Sequence, residues 1–208
     1  MYIKALSLGA VSANCYIISD GSGNGAVIDP GDYTLALKKE IANAGITNLC
    51  YILCTHGHFD HISGVAQLKE KYPESQVVCG VEDAPALSSP VFSLAEAFGL
   101  PFNPCFADKT VKNGDELYVG SLNIKVIGAP GHSLGGVVYY FPEENVMFTG
   151  DTLFKGSIGR TDLYGGDYST LLKTLSKFKD YHADTLVYSG HGEKTSIAYE
   201  LKYNPYIR

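Results

Sequence analysis

No apolar run in this 208-residue chain approaches the ~20 residues a bilayer-spanning helix needs, so no such span is expected. Basic residues are also scarce. Sixteen Lys and Arg stand against 22 Asp and Glu, a net charge of −6, which counts against a broad basic face for nucleic acid. There is no Cys-x-x-Cys pair. The five cysteines (Cys15, Cys50, Cys54, Cys79 and Cys105) are odd in number and fall mostly in apolar, β-like runs, as reduced core thiols do and as disulfide frameworks or cysteine zinc sites do not. The first twenty residues lack the marks of an export signal: Ser7, Gly9 and Ser12 interrupt the apolar stretch, Lys4 is its one cation, and no A-x-A-like cleavage site follows. A cytoplasmic protein with neither nucleic-acid nor membrane partners is the expectation. Repeats of 20 to 50 residues, low-complexity tracts and linker-like stretches are missing too, so residues 1–208 read as a single domain.

What is present is a chain that is 45% hydrophobic, enough to bury a sizeable core. Two short strands open it, and GAVIDPGDY reads as a strand that ends in a turn at Pro30-Gly31. TLALKKEIANAG has helical apolar spacing with Gly45 as its stop, and NLCYILC is the next strand. HISGVAQLKEKYP follows as one amphipathic helix closed by Pro73, then SQVVCG as a strand. Residues 80–104, with prolines at 85, 90, 101 and 104, read as short helices over an opening. Beyond Cys105, the runs ELYVG, LNIKVIGA, GVVYYFP and NVMFTGD are strands, followed by a helix around YSTLLKTLSKFK, a strand TLVYSG and a closing helix TSIAYELKYN. Strands followed by helices, twice over, predict an α/β (α+β) fold built as a four-layer αββα sandwich.

The stretch THGHFDH, residues 55–61, carries three histidines and an aspartate directly after a predicted strand. In an extended segment His56 and His58 point to one side and suit one ion. Asp60 and His61 come where the chain turns into its helix, which aims them at a second. His132, Asp151 and His191 each end a later predicted strand beside glycine, and carboxyl ends of strands converge on one rim. The expected arrangement is His56, His58 and His132 around one ion, Asp60, His61 and His191 around another, and Asp151 between them. Such crowding of imidazoles and carboxylates is costly to desolvate unless a cation holds it. The donor set suits zinc, and also iron or manganese, rather than calcium or magnesium. Two ions ~3.5–4 Å apart with a bridging hydroxide is the layout of a two-metal hydrolase. Asp29 closes a strand on the same rim and is either a turn-starter before Pro30-Gly31 or a hydrogen-bond partner of a ligand histidine. His182 stands apart from the set.

The string Thr55-His56-Gly57-His58-Phe59-Asp60-His61 resembles the T-H-x-H-x-D-H signature of the metallo-β-lactamase superfamily of hydrolases. Gly131-His132-Ser133, Gly150-Asp151-Thr152-Leu153-Phe154, Gly190-His191-Gly192 and Asn204-Pro205 are similar to later blocks of its hydroxyacylglutathione hydrolase (glyoxalase II) branch. The resemblance implies the αββα fold, the same seven ligands, and hydrolysis of a small acyl thioester by a metal-bridging hydroxide, with Asp60 central to the chemistry. It also implies departures. The C-terminal helical extension that helps hold glutathione in glyoxalase II is not expected here. Arg160 matches a basic substrate-binding position, yet Asp162 stands where the branch has an aromatic, and the G-R-T-D string is similar to short bacterial glyoxalase II-like enzymes and to persulfide dioxygenases. A mononuclear iron persulfide dioxygenase and a small-molecule phosphodiesterase of the same fold are the alternative activities. A monomer or small homo-oligomer is expected.

Overall fold

The computed structural model describes residues 1–207. Its first sheet runs in chain order: β1 (Tyr2–Leu8), β2 (Ala13–Ser19), β3 (Asn24–Ile28), β4 (Asn48–Leu53), β5 (Gln76–Gly80) and β6 (Lys109–Val111). β1, β2 and β3 pair antiparallel, whereas β3 to β6 are parallel, because α1 (Leu35–Asn43), then α2 (Phe59–Ile62) and α3 (Val65–Lys71), and finally the stretch 81–108 supply the crossovers. The second sheet begins with the antiparallel meander β7 (Glu116–Val119), β8 (Leu122–Gly128), β9 (Val137–Phe141) and β10 (Val146–Gly150). A small hairpin, β11 (Leu153–Phe154) and β12 (Ser157–Ile158), follows, and α4 (Tyr168–Ser176) leads to β13 (Leu186–Ser189), parallel to β10. β14 (Thr195–Ser196) adds the edge, and α5 (Ile197–Tyr203) closes the chain.

Strand alternation creates the layers. Ile18, Ile28, Leu53 and Val78 face the second sheet and pack against Ile124, Val126, Tyr139 and Phe148. Their neighbours Ile17, Val27, Ile52 and Val77 point the other way, onto Leu37 and Ile41 of α1 and Leu68 of α3. On the far side Val138, Met147 and Val187 meet Leu171 and Leu175 of α4 and Ile197 of α5. Each such side chain contributes ~1.5–3 kcal/mol by leaving water, and a one-residue slip of any central strand would swap its side chains between two cores and misfit both at once. The result is the expected αββα sandwich.

Four local expectations differ. The helix expected from His61 to Pro73 is two helices, broken at Ser63-Gly64: Gly64 N–H donates to Pro30 O at 2.8 Å, and a Cβ on Gly64 would sit 2.5 Å from the Asp32 carbonyl carbon. β6 and the β11–β12 hairpin are too short for any apolar period to announce them. Residues 195–196 pair with β13 as a strand before α5 starts, with Ser196 capping it by accepting from Tyr199 N. The proline-rich stretch holds one 3₁₀ turn, Ala84–Ser88, and irregular turns, which bring Leu94 and Phe98 over the strand ends. No helix among the described residues is long and apolar enough to cross a membrane.

Candidate metal centre

The structure brings all seven predicted ligand residues to one rim, at the carboxyl ends of β4, β8, β10 and β13. His56 and His58 leave β4 in extended backbone, and His58 caps α2, whose first turn presents Asp60 and His61. His132 comes from the loop after β8, Asp151 follows β10, and His191 follows β13. Ligand atoms of His56, His58 and His132 lie within 4.8 Å of one another, as do those of Asp60, His61 and His191. Asp151 stands between the two triads: its Oδ1 is 3.3 Å from His61 Nε2, and its Oδ2 is 3.6 Å from His191 Nε2 and 3.7 Å from His132 Nε2. His182 is on the surface, its side chain 65% exposed.

The two halves differ in charge. Burial, reinforced by four neighbouring imidazoles, pushes the His56 pKa well below its usual value, and burial with His132 alongside brings His58 down to about 4. Those rings are neutral and offer lone pairs. On the other side burial opposes charge, but the Asp151, Asp29 and Asp60 carboxylates outweigh it and raise the His61 pKa well above normal. Hydrogen bonds from His191 and His61 likewise outweigh burial at Asp60 and hold it low, and His61 does the same for Asp151. The field that favours a proton at His61 equally favours a metal cation beside its Nε2.

Unsatisfied atoms test whether a cation fits. His56 Nε2 is buried without a hydrogen bond, and Asp151 Oδ1 is buried without an aligned one. His132 Nε2 lies 2.9 Å from His58 Nδ1, and His61 Nε2 lies 3.4 Å from His191 Nε2, so imidazole nitrogens converge on one another across the cluster. Buried polar atoms left this way are expensive, and a cation resolves all of them together. The cluster is able to hold metal.

Outer partners fix the rings. His132 Nδ1–H donates to the Arg160 carbonyl at 2.7 Å, leaving Nε2 free for the cluster. His61 Nδ1–H donates to Asp29 Oδ2, and Asp29 also accepts from Thr55 N and Thr55 Oγ1. Asp29 lies close enough to His56 and His61 to form a third triad, but its oxygens are occupied by these donors, so it orients ligands instead of joining them. Its backbone is left-handed, φ 51°, unusual for a residue with a Cβ and held there by these bonds.

Two elements of the site escaped the sequence reading. Buried Asp83 accepts from Gly57 N at 3.0 Å and Gly135 N at 2.6 Å, tying the loop of His56 and His58 to the loop of His132. Its signal was its place just past β5, on the ligand rim. Glu200, fully buried, accepts from Gly156 N, Thr195 Oγ1 and Asn204 Nδ2 and so pins the β11–β12 turn. Arg160 does line the cleft above the cluster, but its guanidinium is held by Asp162 through two hydrogen bonds, at 2.7 and 2.8 Å.

That cleft has a volume of about 540 Å³, with His58, Asp60, His132, Asp151 and His191 among its lining residues. A family model described as the Metallo-beta-lactamase superfamily matches residues 8–191. The Hydroxyacylglutathione hydrolase GloC of Haemophilus influenzae is 34% identical, over 100% of this chain and 98% of that protein. The crystal structure of the BLEG-1 B3 metallo-beta-lactamase is similar with a TM-score of 0.92 and 34% identity, covering 99% of each chain. TTHA1623, crystallised in a di-iron-bound form, gives a TM-score of 0.86 at 35% identity over 98% of this chain and 99% of its own.

Proposed function

The chain belongs to the metallo-beta-lactamase superfamily, generally metal-dependent hydrolases, and from that premise we propose that it hydrolyses a small acyl thioester at a dinuclear metal centre. His56, His58 and His132 would hold one ion, Asp60, His61 and His191 the other, and Asp151 both. Zinc suits this donor set, and iron is the rival metal because the similar TTHA1623 is known with two irons. When bound, the ions supply a hydroxide nucleophile near neutral pH and a Lewis acid for the substrate carbonyl.

The observation that carries the reading is the absence of a free acid. Every carboxylate and imidazole lining the cleft among the described residues belongs to the cluster, and the remaining charged group, Arg160, is paired. An alkoxide or amide leaving group would need a proton delivered to it. A thiolate does not, because a thiol's pKa is only about 8.5. In the reaction a C–O bond forms from one water, the C–S bond breaks, and a carboxylic acid and a thiol leave. His132, oriented by the Arg160 carbonyl, and His61, oriented by Asp29, hold their Nε2 atoms toward the reaction centre while Phe59, Leu94 and Phe98 keep bulk water from one wall. Five free cysteines agree with a reducing, cytoplasmic setting.

The test is a screen of the metal-loaded protein against S-lactoylglutathione, simple acyl thioesters, a chromogenic cephalosporin, a phosphodiester and glutathione persulfide. Thiol release that stops on chelation and returns with metal is expected. Turnover of the cephalosporin or phosphodiester without any thioester, or oxygen uptake with the persulfide, would overturn the proposal. The cephalosporin belongs in the screen because BLEG-1 is a B3 metallo-beta-lactamase.

A further inference from the structure

The wall of the cleft is unlike its floor. Above the cluster stand Val11, Phe59, Leu94, Phe98, Phe154 and Leu163. Leu94, with Phe59 and Leu163, forms a small apolar cluster separate from the three main cores, and the Phe59 and Phe98 rings lie 5.2 Å apart. Phe98 is 52% exposed and Val11 49% exposed, so large apolar side chains are held open to the cleft and not packed away. Contiguous apolar surface beside a polar reaction centre marks a ligand contact.

Charge narrows the ligand. Glutathione carries two carboxylates and an ammonium at neutral pH, and a carrier of that kind calls for cations at the rim. Among the described residues that line the cleft, Arg160 is the one permanent cation, and Asp162 occupies its Nε and Nη2. The substrate portion that fits against the wall is therefore the acyl chain, since in a thioester of a polar carrier it is the apolar part.

Resting on the thioester reading above, we propose that the preferred substrates are thioesters of straight-chain aliphatic acids from butanoyl to octanoyl, bound with the chain against Phe98, Leu94 and Leu163, and that short hydroxyacyl groups are poor substrates. Each methylene fully removed from water is worth about fourfold in binding. A cleft open on one side recovers roughly half of that free energy, about twofold per methylene, or about 60-fold from acetyl to octanoyl.

The experiment is kcat/KM for acetyl, butanoyl, hexanoyl and octanoyl thioesters of one neutral carrier, N-acetylcysteamine, together with S-lactoylglutathione, on the metal-loaded protein. A rise along the series, with Phe98→Ser lowering the octanoyl-to-acetyl ratio at least about fivefold, is the expected result. Dissociation constants of the matching S-alkyl thioethers, which cannot be hydrolysed, should fall in the same order and provide a readout independent of turnover. A flat or falling series, or S-lactoylglutathione preferred to octanoyl, would overturn the chain-length inference and leave thioester hydrolysis standing. No hydrolysis of any thioester would remove the reading beneath it.

Discussion

Asp29 Oδ2 lies 3.0 Å from His61 Nδ1 and 2.6 Å from Thr55 Oγ1, and that hydroxyl in turn lies 3.1 Å from His56 Nδ1. One carboxylate thus sets the tautomers of two histidines that belong to different halves of the cluster. In Asp29→Asn, the amide NH2 faces either the Thr55 N–H or the His61 Nδ1–H, a donor against a donor. Metal affinity should fall about 10–100-fold in both halves. Chelator-competition titration measures this, and unchanged affinity would show that Asp29 is merely the start of a turn.

Asp60 Oδ2 approaches His191 Nε2 at 3.2 Å and His61 Nε2 at 3.4 Å, and its side chain borders the cleft, not the core. Asp60→Ala should therefore fold normally, bind one metal equivalent fewer, and lose turnover by about 100-fold or more, a ligand mattering at least as much as an outer partner. Circular dichroism, metal analysis and kinetics together check it. Full activity in this variant would contradict the mechanism.

Arg160 serves His132 through its main-chain carbonyl, while its side chain is engaged by Asp162. Arg160→Ala should keep its full metal content. Asp162→Ala releases the guanidinium fork, and the KM for S-lactoylglutathione, which carries carboxylates, should drop about threefold with metal content unchanged, the scale of an exposed charge pair. A lost metal equivalent in either variant would place the side chains, and not the carbonyl, in charge of His132.

The histidines and aspartates of the cluster were legible because they are local signals. His56 to His61 crowd one turn, and His132, Asp151 and His191 each follow a strand flanked by glycine. The two facing sheets were legible because strands followed by helices recur in each half of the chain, and runs such as Ile17-Ile18 and Ile52-Leu53 do bury both neighbours, one on each face of the first sheet. Asp83 was not, since its two acceptors serve Gly57 and Gly135, 26 and 52 residues away, and an Asp near a proline reads as an ordinary loop residue. Glu200 was hidden in the same way: a Glu between Tyr199 and Leu201 in a short helix looks solvent-facing until Gly156 and Thr195 are folded onto it.

Asn204 tests that second network. It is fully buried, donates to Ser157 O at 3.0 Å and Glu200 Oε2 at 2.7 Å, and accepts from Tyr206 N at 3.0 Å. Asn204→Ala leaves these groups without partners, at a cost of about 2 kcal/mol. For a chain of this size that is a fall in Tm of about 4–8 °C. Thermal unfolding reads the effect, and a Tm within 1 °C of the parent would mean that the β11–β12 turn stands without it.

Gly190 marks where the cluster is tightest. A Cβ built there would lie 2.1 Å from Asp151 Oδ1, 2.8 Å from His61 Cε1 and 3.0 Å from the Gly150 carbonyl carbon, and of these the Asp151 carboxylate is the group with room to turn. Gly190 N–H also donates to Gly150 O at 2.8 Å, so β13 cannot simply retreat. In Gly190→Ala the Asp151 carboxylate must rotate away from the position between the two triads. Metal affinity should then fall by at least about tenfold, the lower end of what a displaced outer partner costs. Titration of metal into the stripped variant decides it: two equivalents bound at parental affinity would mean that Asp151 does not stand between the ions.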